Sequence, residues 1–106
     1  MMYGIDRHPL VWRDIDDIAD YVGQYAGLEI AERKTYEIER SIANLREFPH
    51  TGAPRDDVVE GLRMTPSASK AVTCFMVNDK ARIVRIICVT YAGQDWQRIA
   101  RERRNT

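Results

Sequence analysis

The stretch Ile83 to Thr90, IVRIICVT, is the most hydrophobic part of the sequence. It places apolar side chains at both odd and even positions, so a strand built from it presents them to both sides of a sheet. Such a strand lies at the centre of a sheet that is covered on both faces. Ala71 to Val77 has the same pattern, and the segment Asn78-Asp79-Lys80 predicts a hairpin turn between the two strands.

Two segments in the first half of the chain repeat apolar residues every three or four positions, the spacing of an amphipathic helix. The first stripe is Val11, Ile15, Ile18, Val22 and Tyr25, and the second is Ala31, Thr35, Ile38, Ile42 and Leu45. Gly27 predicts the end of one helix and a turn into the next, and Pro49 ends the second. Residues 9–48 therefore predict an αα-hairpin.

The remaining segments complete the order of elements. Tyr3 to His8 predicts a short first strand, Leu62 to Pro66 a strand before the two apolar ones, and Gln94 to Arg104 a last helix. Residues 49–60, which include two prolines and a glycine, predict a loop. The 106 residues suit one domain, residues 1–106, of an α+β fold with the order β-α-α-β-β-β-α.

The charges of the chain are balanced in total but unevenly distributed. Residues 1–60 carry 13 acidic and 7 basic side chains, a balance of −6, whereas residues 61–106 carry 3 acidic and 9 basic ones, a balance of +6. Because phosphate neutralisation dominates affinity for nucleic acid, a neutral chain is a poor general binder, and we expect no sequence-specific DNA binding by this chain alone. The basic second part suits an acidic partner.

Several functional classes have no signature in the sequence. No apolar run approaches the roughly 20 residues of a membrane span, and the N-terminus, MMYGIDRHP, has no hydrophobic signal region, so we expect a cytoplasmic chain without a membrane partner. His8 and His50 are not near cysteines or paired carboxylates at metal-site spacing. No glycine-rich phosphate loop is present. We therefore expect no metal and no cofactor.

The acidic residues of the first helix are interpreted as a solvated face rather than as metal ligands, because acids early in a helix favour its dipole. These residues are Asp14, Asp16, Asp17 and Asp20.

The two cysteines are predicted to be reduced and buried. With a hairpin turn at Asn78 to Lys80, Cys74 falls about opposite Arg85. Cys88 then lies three residues further along the strand, roughly 10 Å away. A disulfide needs Cα atoms within about 7 Å, so this register excludes one.

The polar candidates for chemistry lie on or beside the sheet. A metal-free ribonuclease needs a base for the 2′-OH, an acid for the leaving oxygen and a cation for the phosphate. Arg63 or Lys70 would hold the phosphate and Tyr91 would act as the acid, but no histidine or glutamate stands near Tyr91 in the sequence. In the alternative interpretation, Tyr91 covers the core at a strand end, Arg63 pairs with an acid of the 49–60 loop, and Trp96 anchors the last helix on the sheet.

Short motifs are spread over nearly the full length of the chain. They are Asp14 to Ile18 followed by Tyr21, Phe48-Pro49 with Gly52 and Arg55, Gly61-Leu62-Arg63, and Val84 to Ile87 leading into Tyr91 to Trp96. In order and spacing they resemble the ParE/RelE superfamily of toxins from bacterial type II toxin–antitoxin systems. The resemblance implies a small twisted antiparallel sheet with the αα-hairpin on one face. It also implies a cognate antitoxin, usually a ribbon-helix-helix protein whose C-terminal tail folds onto the toxin.

The superfamily divides by activity, and this sequence favours its ParE-like branch. RelE-like members are ribosome-dependent mRNA endonucleases, typically with a Lys- and Arg-rich sheet face and a Tyr or His near the final corner. ParE-like members lack that set and are associated with poisoning DNA gyrase. This chain is neutral, Ala71 to Val77 has no basic residue, and Gly93 and Gln94 stand where many relatives have arginines. The resemblance thus implies a stress-response toxin that inhibits gyrase by binding rather than as an enzyme.

Two alternatives to a gyrase inhibitor stay open. One is a RelE-type endonuclease that uses the nuclease candidates Arg63, Lys70 and Tyr91. The other is a non-toxic relative that only binds an antitoxin.

We expect the corner from Tyr91 to Trp96 to be a structural turn and an interaction surface rather than an active site. The turn at Ala92-Gly93 and the Trp96 anchor would be structural, and the exposed side of Tyr91 would bind a partner together with the basic helix. The antitoxin tail would occupy the groove between the αα-hairpin and the sheet. The residues predicted to bind a partner are Arg82, Arg85, Tyr91, Gln94, Trp96, Arg98 and Arg101.

Overall fold

The computed structural model describes residues 2–105 and arranges them in the predicted order of elements, with one addition. The elements are β1 (Gly4–Arg7), α1 (Val11–Ala26), α2 (Leu28–Asn44), β2 (Ala53–Pro54), β3 (Leu62–Ala68), β4 (Ala71–Asn78), β5 (Ile83–Tyr91) and α3 (Trp96–Arg103). The addition is β2, a two-residue strand within the segment that was predicted to be a loop.

The strands form one five-stranded sheet in the order β1-β5-β4-β3-β2. β5 is internal, as its apolar sequence predicts, and β4 beside it is antiparallel. The sheet is antiparallel except for β1, which is parallel to β5. Parallel neighbours need a long crossover connection. The chain between β1 and β5 begins with the αα-hairpin and continues through β2, β3 and β4.

Each face of the sheet has its own apolar core. On one face α1 and α2 pack on the strands with the buried residues Val11, Ile15, Ile18, Val22, Ala31, Ile38, Ile42, Leu45, Ala71, Phe75, Val84, Ile86, Val89 and Tyr91. On the other face α3 and the segment before β3 pack on the strands, and the buried residues there are Val59, Leu62, Cys74, Ile87, Cys88 and Ala100. The predicted helical stripes are confirmed except at Thr35, which is half-buried, and Tyr25, which is 57% exposed.

The register of β4 and β5 differs from the predicted one. Asn78 pairs with Ile83, so the connecting loop is Asp79 to Arg82, longer than the predicted turn, and Arg82 closes it with a φ of 57°. A β-bulge between the pairs of Cys74 and Phe75 shifts the register by one further residue. Cys74 therefore lies opposite Cys88 and not opposite Arg85. The cysteines are free and buried, as predicted, but they lie opposite each other, so the predicted separation of roughly 10 Å along the strand is wrong.

Ile42 and Ile86 are 1% and 0% exposed and hold the αα-hairpin against the centre of the sheet. We expect Ile42→Ala and Ile86→Ala each to lower the free energy of unfolding by ~2–5 kcal/mol, because each leaves a cavity in a packed core. Ile30→Ala on the same α2 helix is the matched control: Ile30 is 38% exposed, and its loss should cost less than about 1 kcal/mol. Urea melts measure all three, and losses below about 0.5 kcal/mol at Ile42 and Ile86 would contradict the assigned packing.

Candidate interaction surface

The chain reverses direction immediately after β5. Ala92 and Gly93 take left-handed φ angles of 52° and 84°, and the Ala92 N–H donates to the Lys70 carbonyl at 3.0 Å. The Gln94 side-chain oxygen accepts a 2.9 Å hydrogen bond from the Tyr91 N–H. The predicted tight turn is confirmed. Gln94, which was expected to bind a partner, uses its side-chain oxygen to hold this turn.

Tyr91 points to the αα-hairpin side of the sheet and is only 6% exposed. Its hydroxyl lies 2.8 Å from the Tyr25 hydroxyl, and its ring centroid lies 5.9 Å from that of Tyr21. The hydrogen bond with Tyr91, together with burial, raises the pKa of Tyr25. The prediction of an exposed side of Tyr91 is therefore wrong, because the α1 tyrosines cover it.

The exposed aromatic surface at this corner belongs to Tyr21 and Tyr25, which are 53% and 57% exposed. The apolar spacing of α1 predicts Tyr25 in the buried stripe, so this exposed surface is not predicted from the sequence. Lys34 also approaches the group, with its Nζ 5.5 Å from the centroid of the Tyr91 ring.

The structure does not bring the three nuclease candidates together. Lys70 and Tyr91 line the same cavity of about 330 Å³ at one end of the sheet. Arg63 lies five residues along β3 from Ala68, the partner of Ala71, which is about 16 Å at strand rise. Of the two phosphate-holding candidates, Lys70 therefore lies beside the acid candidate Tyr91, and Arg63 lies away from both.

Arg63 stabilises the loop that precedes it. Its Nη1 donates to the carbonyl oxygens of His50 at 3.1 Å and Gly52 at 3.2 Å. Gly52 has a φ of 87°, and a Cβ there would lie 2.7 Å from the Met64 carbonyl oxygen, so only glycine lets this segment approach β3 so closely. The loop thus accepts the hydrogen bonds of Arg63 through its backbone carbonyls, and the predicted pairing of Arg63 with a loop acid is wrong.

The sheet face opposite the αα-hairpin is apolar at its centre. β3, β4 and β5 contribute to it the side chains of Leu62, Met64, Val72, Cys74, Met76, Ile87 and Cys88. α3 packs on this face through Ala100, Ile99 and Trp96. Trp96 is therefore the helix anchor that the sequence predicts, and the Arg55 guanidinium lies 4.8 Å from the centroid of its ring.

A half-buried ion pair fixes the end of α3 to α1. Arg103 makes two hydrogen bonds to the Asp14 carboxylate, at 2.6 Å and 2.9 Å, and the two side chains are 14% and 13% exposed. Asp14 also accepts from the Val89 N–H at 3.0 Å, and Arg103 donates to the Ile87 carbonyl at 3.3 Å. The prediction that Asp14 belongs to a solvated face is wrong, whereas Asp16, Asp17 and Asp20 are exposed.

The Asp14 carboxylate also keeps Arg103 ionised. The hydrogen bonds that it accepts from Arg103 raise the pKa of the guanidinium, so Arg103 stays charged in this half-buried position.

The predicted partner-binding arginines form two separate groups. Arg98 and Arg101 lie on the exposed side of α3, where Arg98 pairs with Glu102 at 3.1 Å. Arg85 lies near the start of β5, at the far end of the strand and about 20 Å from Tyr91 at strand rise, and Arg82, in the loop before β5, is about 30 Å from it. Arg85 pairs there with Asp6 at 3.1 Å.

A polar cluster missed by the sequence analysis lies at that far end. Asp79 Oδ1 accepts a 2.7 Å hydrogen bond from the Tyr3 hydroxyl and lies 2.7 Å from His50 Nε2. The hydrogen bonds from Tyr3 and His50 lower the pKa of Asp79. Tyr3 is 76 positions and His50 is 29 positions from Asp79 along the chain, so no local motif predicts the cluster. It ties the N-terminus and the 49–60 loop to the β4–β5 loop.

Within residues 2–105, no three His, Cys, Asp or Glu side chains are grouped as metal ligands would be. None of the helices in the same range is both long and apolar enough to cross a lipid bilayer.

Comparison with known proteins places these features in a family. The family model described as the ParE toxin of the type II toxin–antitoxin system parDE matches residues 5–96. No curated protein sequence matches the chain significantly.

Three solved structures are similar to the chain in fold. The chromosomal ParDE system from P. aeruginosa has 20% identity and a TM-score of 0.72, covering 87% of this chain and 98% of that one. A double mutant of the E. coli toxin RelE in the free state has 14% identity and a TM-score of 0.68, with 99% and 97% covered. The RelBE2 toxin–antitoxin complex from Mycobacterium tuberculosis has 13% identity and a TM-score of 0.55, with 87% and 100% covered. At such identities the likeness concerns the fold and not the activity.

Proposed function

Because the chain belongs to the family of ParE toxins of type II toxin–antitoxin systems, we propose that it acts by binding DNA gyrase and does not itself cut RNA. The observation that carries the proposal is the apolar, covered centre of the sheet face opposite the αα-hairpin. A RelE-type nuclease is expected to present a Lys- and Arg-rich face there, with a Tyr or His at the final corner.

The position of Tyr91 supports the same proposal. A general acid must come within hydrogen-bond distance of the atom that it protonates. Tyr91 is on the αα-hairpin side of the sheet, is 6% exposed and shares its hydroxyl hydrogen bond with Tyr25. Arg63, one of the two phosphate-binding candidates, is hydrogen-bonded to loop carbonyls away from Tyr91, whereas Lys70, the other, lines a cavity with it. Two of the three nuclease candidates thus share one end of the sheet, but the acid among them is buried and hydrogen-bonded within the protein.

The antitoxin partner is the second part of the proposal. A cavity of about 330 Å³ opens between α1, the end of β5 and α3, and apolar side chains of Ile18, Val89 and Ile99 line it. Arg98 and Arg101 are exposed residues of α3, the helix that contributes Ile99 to this cavity. An amphipathic tail would place apolar side chains in this cavity and acidic ones against the two arginines, a combination that lets a disordered segment fold on binding.

Reversing the α3 charges tests the antitoxin surface. We expect the double variant Arg98→Glu, Arg101→Glu to slow association with the cognate antitoxin about tenfold at low salt, with a smaller change in dissociation, because exposed charges mainly steer encounter. The double variant Arg33→Glu, Arg40→Glu on α2 makes the same charge change on exposed residues of the opposite layer. Surface plasmon resonance measures both rates, and equal association rates of the two double variants would contradict the assigned surface.

Removing one hydroxyl separates the two toxin mechanisms. We expect Tyr91→Phe to remain toxic on expression, since a neutral hydrogen bond within the toxin contributes only ~0.5–1.5 kcal/mol to stability. A catalytic acid would instead contribute ~10²–10⁴-fold to the rate of cleavage.

The control for Tyr91→Phe is Tyr25→Phe, which removes the other hydroxyl of the same hydrogen bond. Growth and the 5′ ends of ribosome-bound mRNA are measured for the wild type and both variants. Codon-phased mRNA cleavage that is present in the wild type, retained in Tyr25→Phe and lost in Tyr91→Phe would establish the RelE-type alternative.

A further inference from the structure

Cys74 and Cys88 lie directly opposite each other on β4 and β5. Both are free and 0% exposed. Residues directly opposite in an antiparallel pair have Cα atoms about 4.5–5.5 Å apart, within the range of about 4.4–6.8 Å that a disulfide spans. The bulge beside Cys74 and the longer β4–β5 loop create this pairing. The two thiols therefore need little backbone movement to become bonded.

The last helix covers this pair. Trp96, Ile99 and Ala100 pack in the same cluster as both cysteines. Hydrogen bonding to Cys74, together with burial, raises the pKa of the Cys88 thiol. A protonated, buried thiol is a poor nucleophile, so the pair is unreactive while α3 is docked.

The ion pair that docks α3 contacts β5 on both sides of Cys88. Arg103 donates to the carbonyl of Ile87, and Asp14 accepts from the N–H of Val89, the residues before and after Cys88. α3 has only eight residues and ends at Arg103. Short terminal elements open with less free energy than the core of a domain. Loss of the Arg103–Asp14 pair would therefore free the helix directly over the thiols.

We propose that Cys74 and Cys88 form an oxidisable dithiol gated by α3, whose co-reactant is a low-molecular-weight disulfide such as oxidised glutathione. When α3 lifts, one cysteine thiolate attacks a sulfur of the oxidant, which forms a mixed disulfide and releases one glutathione thiolate. The second cysteine thiolate then attacks the cysteine sulfur of that bond and releases the second glutathione thiolate. The chain loses two protons and two electrons, and the oxidant is reduced to two thiols.

The test measures the rate of disulfide formation in the full chain. Wild type, Arg103→Gln and Arg101→Gln are incubated with oxidised glutathione, quenched with acid and analysed by mass spectrometry for the loss of two hydrogens. We expect intrachain oxidation about tenfold faster or more in Arg103→Gln, because it leaves Asp14 without its charged partner. Arg101→Gln, the same change at an exposed α3 position, should oxidise at the wild-type rate, and Cys88→Ala should form no intrachain disulfide.

Urea separates local opening from global unfolding and needs no α3 variant. Below the unfolding transition, the oxidation rate of the wild type should rise with urea less steeply than global unfolding does, because lifting α3 exposes less surface. Three outcomes would overturn the proposal. They are glutathione adducts without an intrachain disulfide, a urea dependence equal to that of global unfolding, and equal oxidation rates in folded Arg103→Gln and Arg101→Gln.

Discussion

The Asp14 carboxylate connects three elements that are distant in sequence. It belongs to α1, accepts the Val89 N–H of β5 and pairs with Arg103 at the end of α3. A half-buried charge needs a partner and hydrogen bonds to offset its lost hydration, and here both come from one residue of α3 and one backbone N–H. This arrangement holds α3 over the second face of the sheet. The burial of the apolar centre of that face, including both cysteines, and the position of the basic helix therefore depend on it.

The side chains left exposed near the corner from Tyr91 to Trp96 decide what this surface can bind. With both faces of the sheet covered and Tyr91 bonded to Tyr25, the exposed aromatic and arginine side chains near the final corner are those of Tyr21 and Tyr25 on α1 and Arg98 and Arg101 on α3. Aromatic and arginine side chains are the residues that most often dominate protein interfaces. The corner is therefore suited to recognise proteins, and the family to which the chain belongs gives that recognition a toxin's role.

The sequence predicted most elements of the fold, because a strand with apolar residues on both faces and two helical stripes leave few arrangements. It did not predict the β4–β5 register, since a bulge and a turn conformation at Arg82 leave little trace in local composition. It also misplaced Asp14 and Arg63. Asp14 has the position of a solvated helix acid, and nothing near it indicates a partner 89 residues later. Arg63 finds backbone carbonyls, which no side-chain pattern encodes.

The most direct test of a gyrase-binding toxin uses purified components. Purified chain is added to DNA gyrase, ATP and relaxed plasmid, and supercoiled and protein-linked cleaved DNA are quantified by gel. We expect the chain to suppress supercoiling and to accumulate cleaved DNA attached to gyrase, and the cognate antitoxin to prevent both effects. Unchanged supercoiling at a saturating concentration of folded chain, with cleavage of mRNA on added ribosomes, would contradict it.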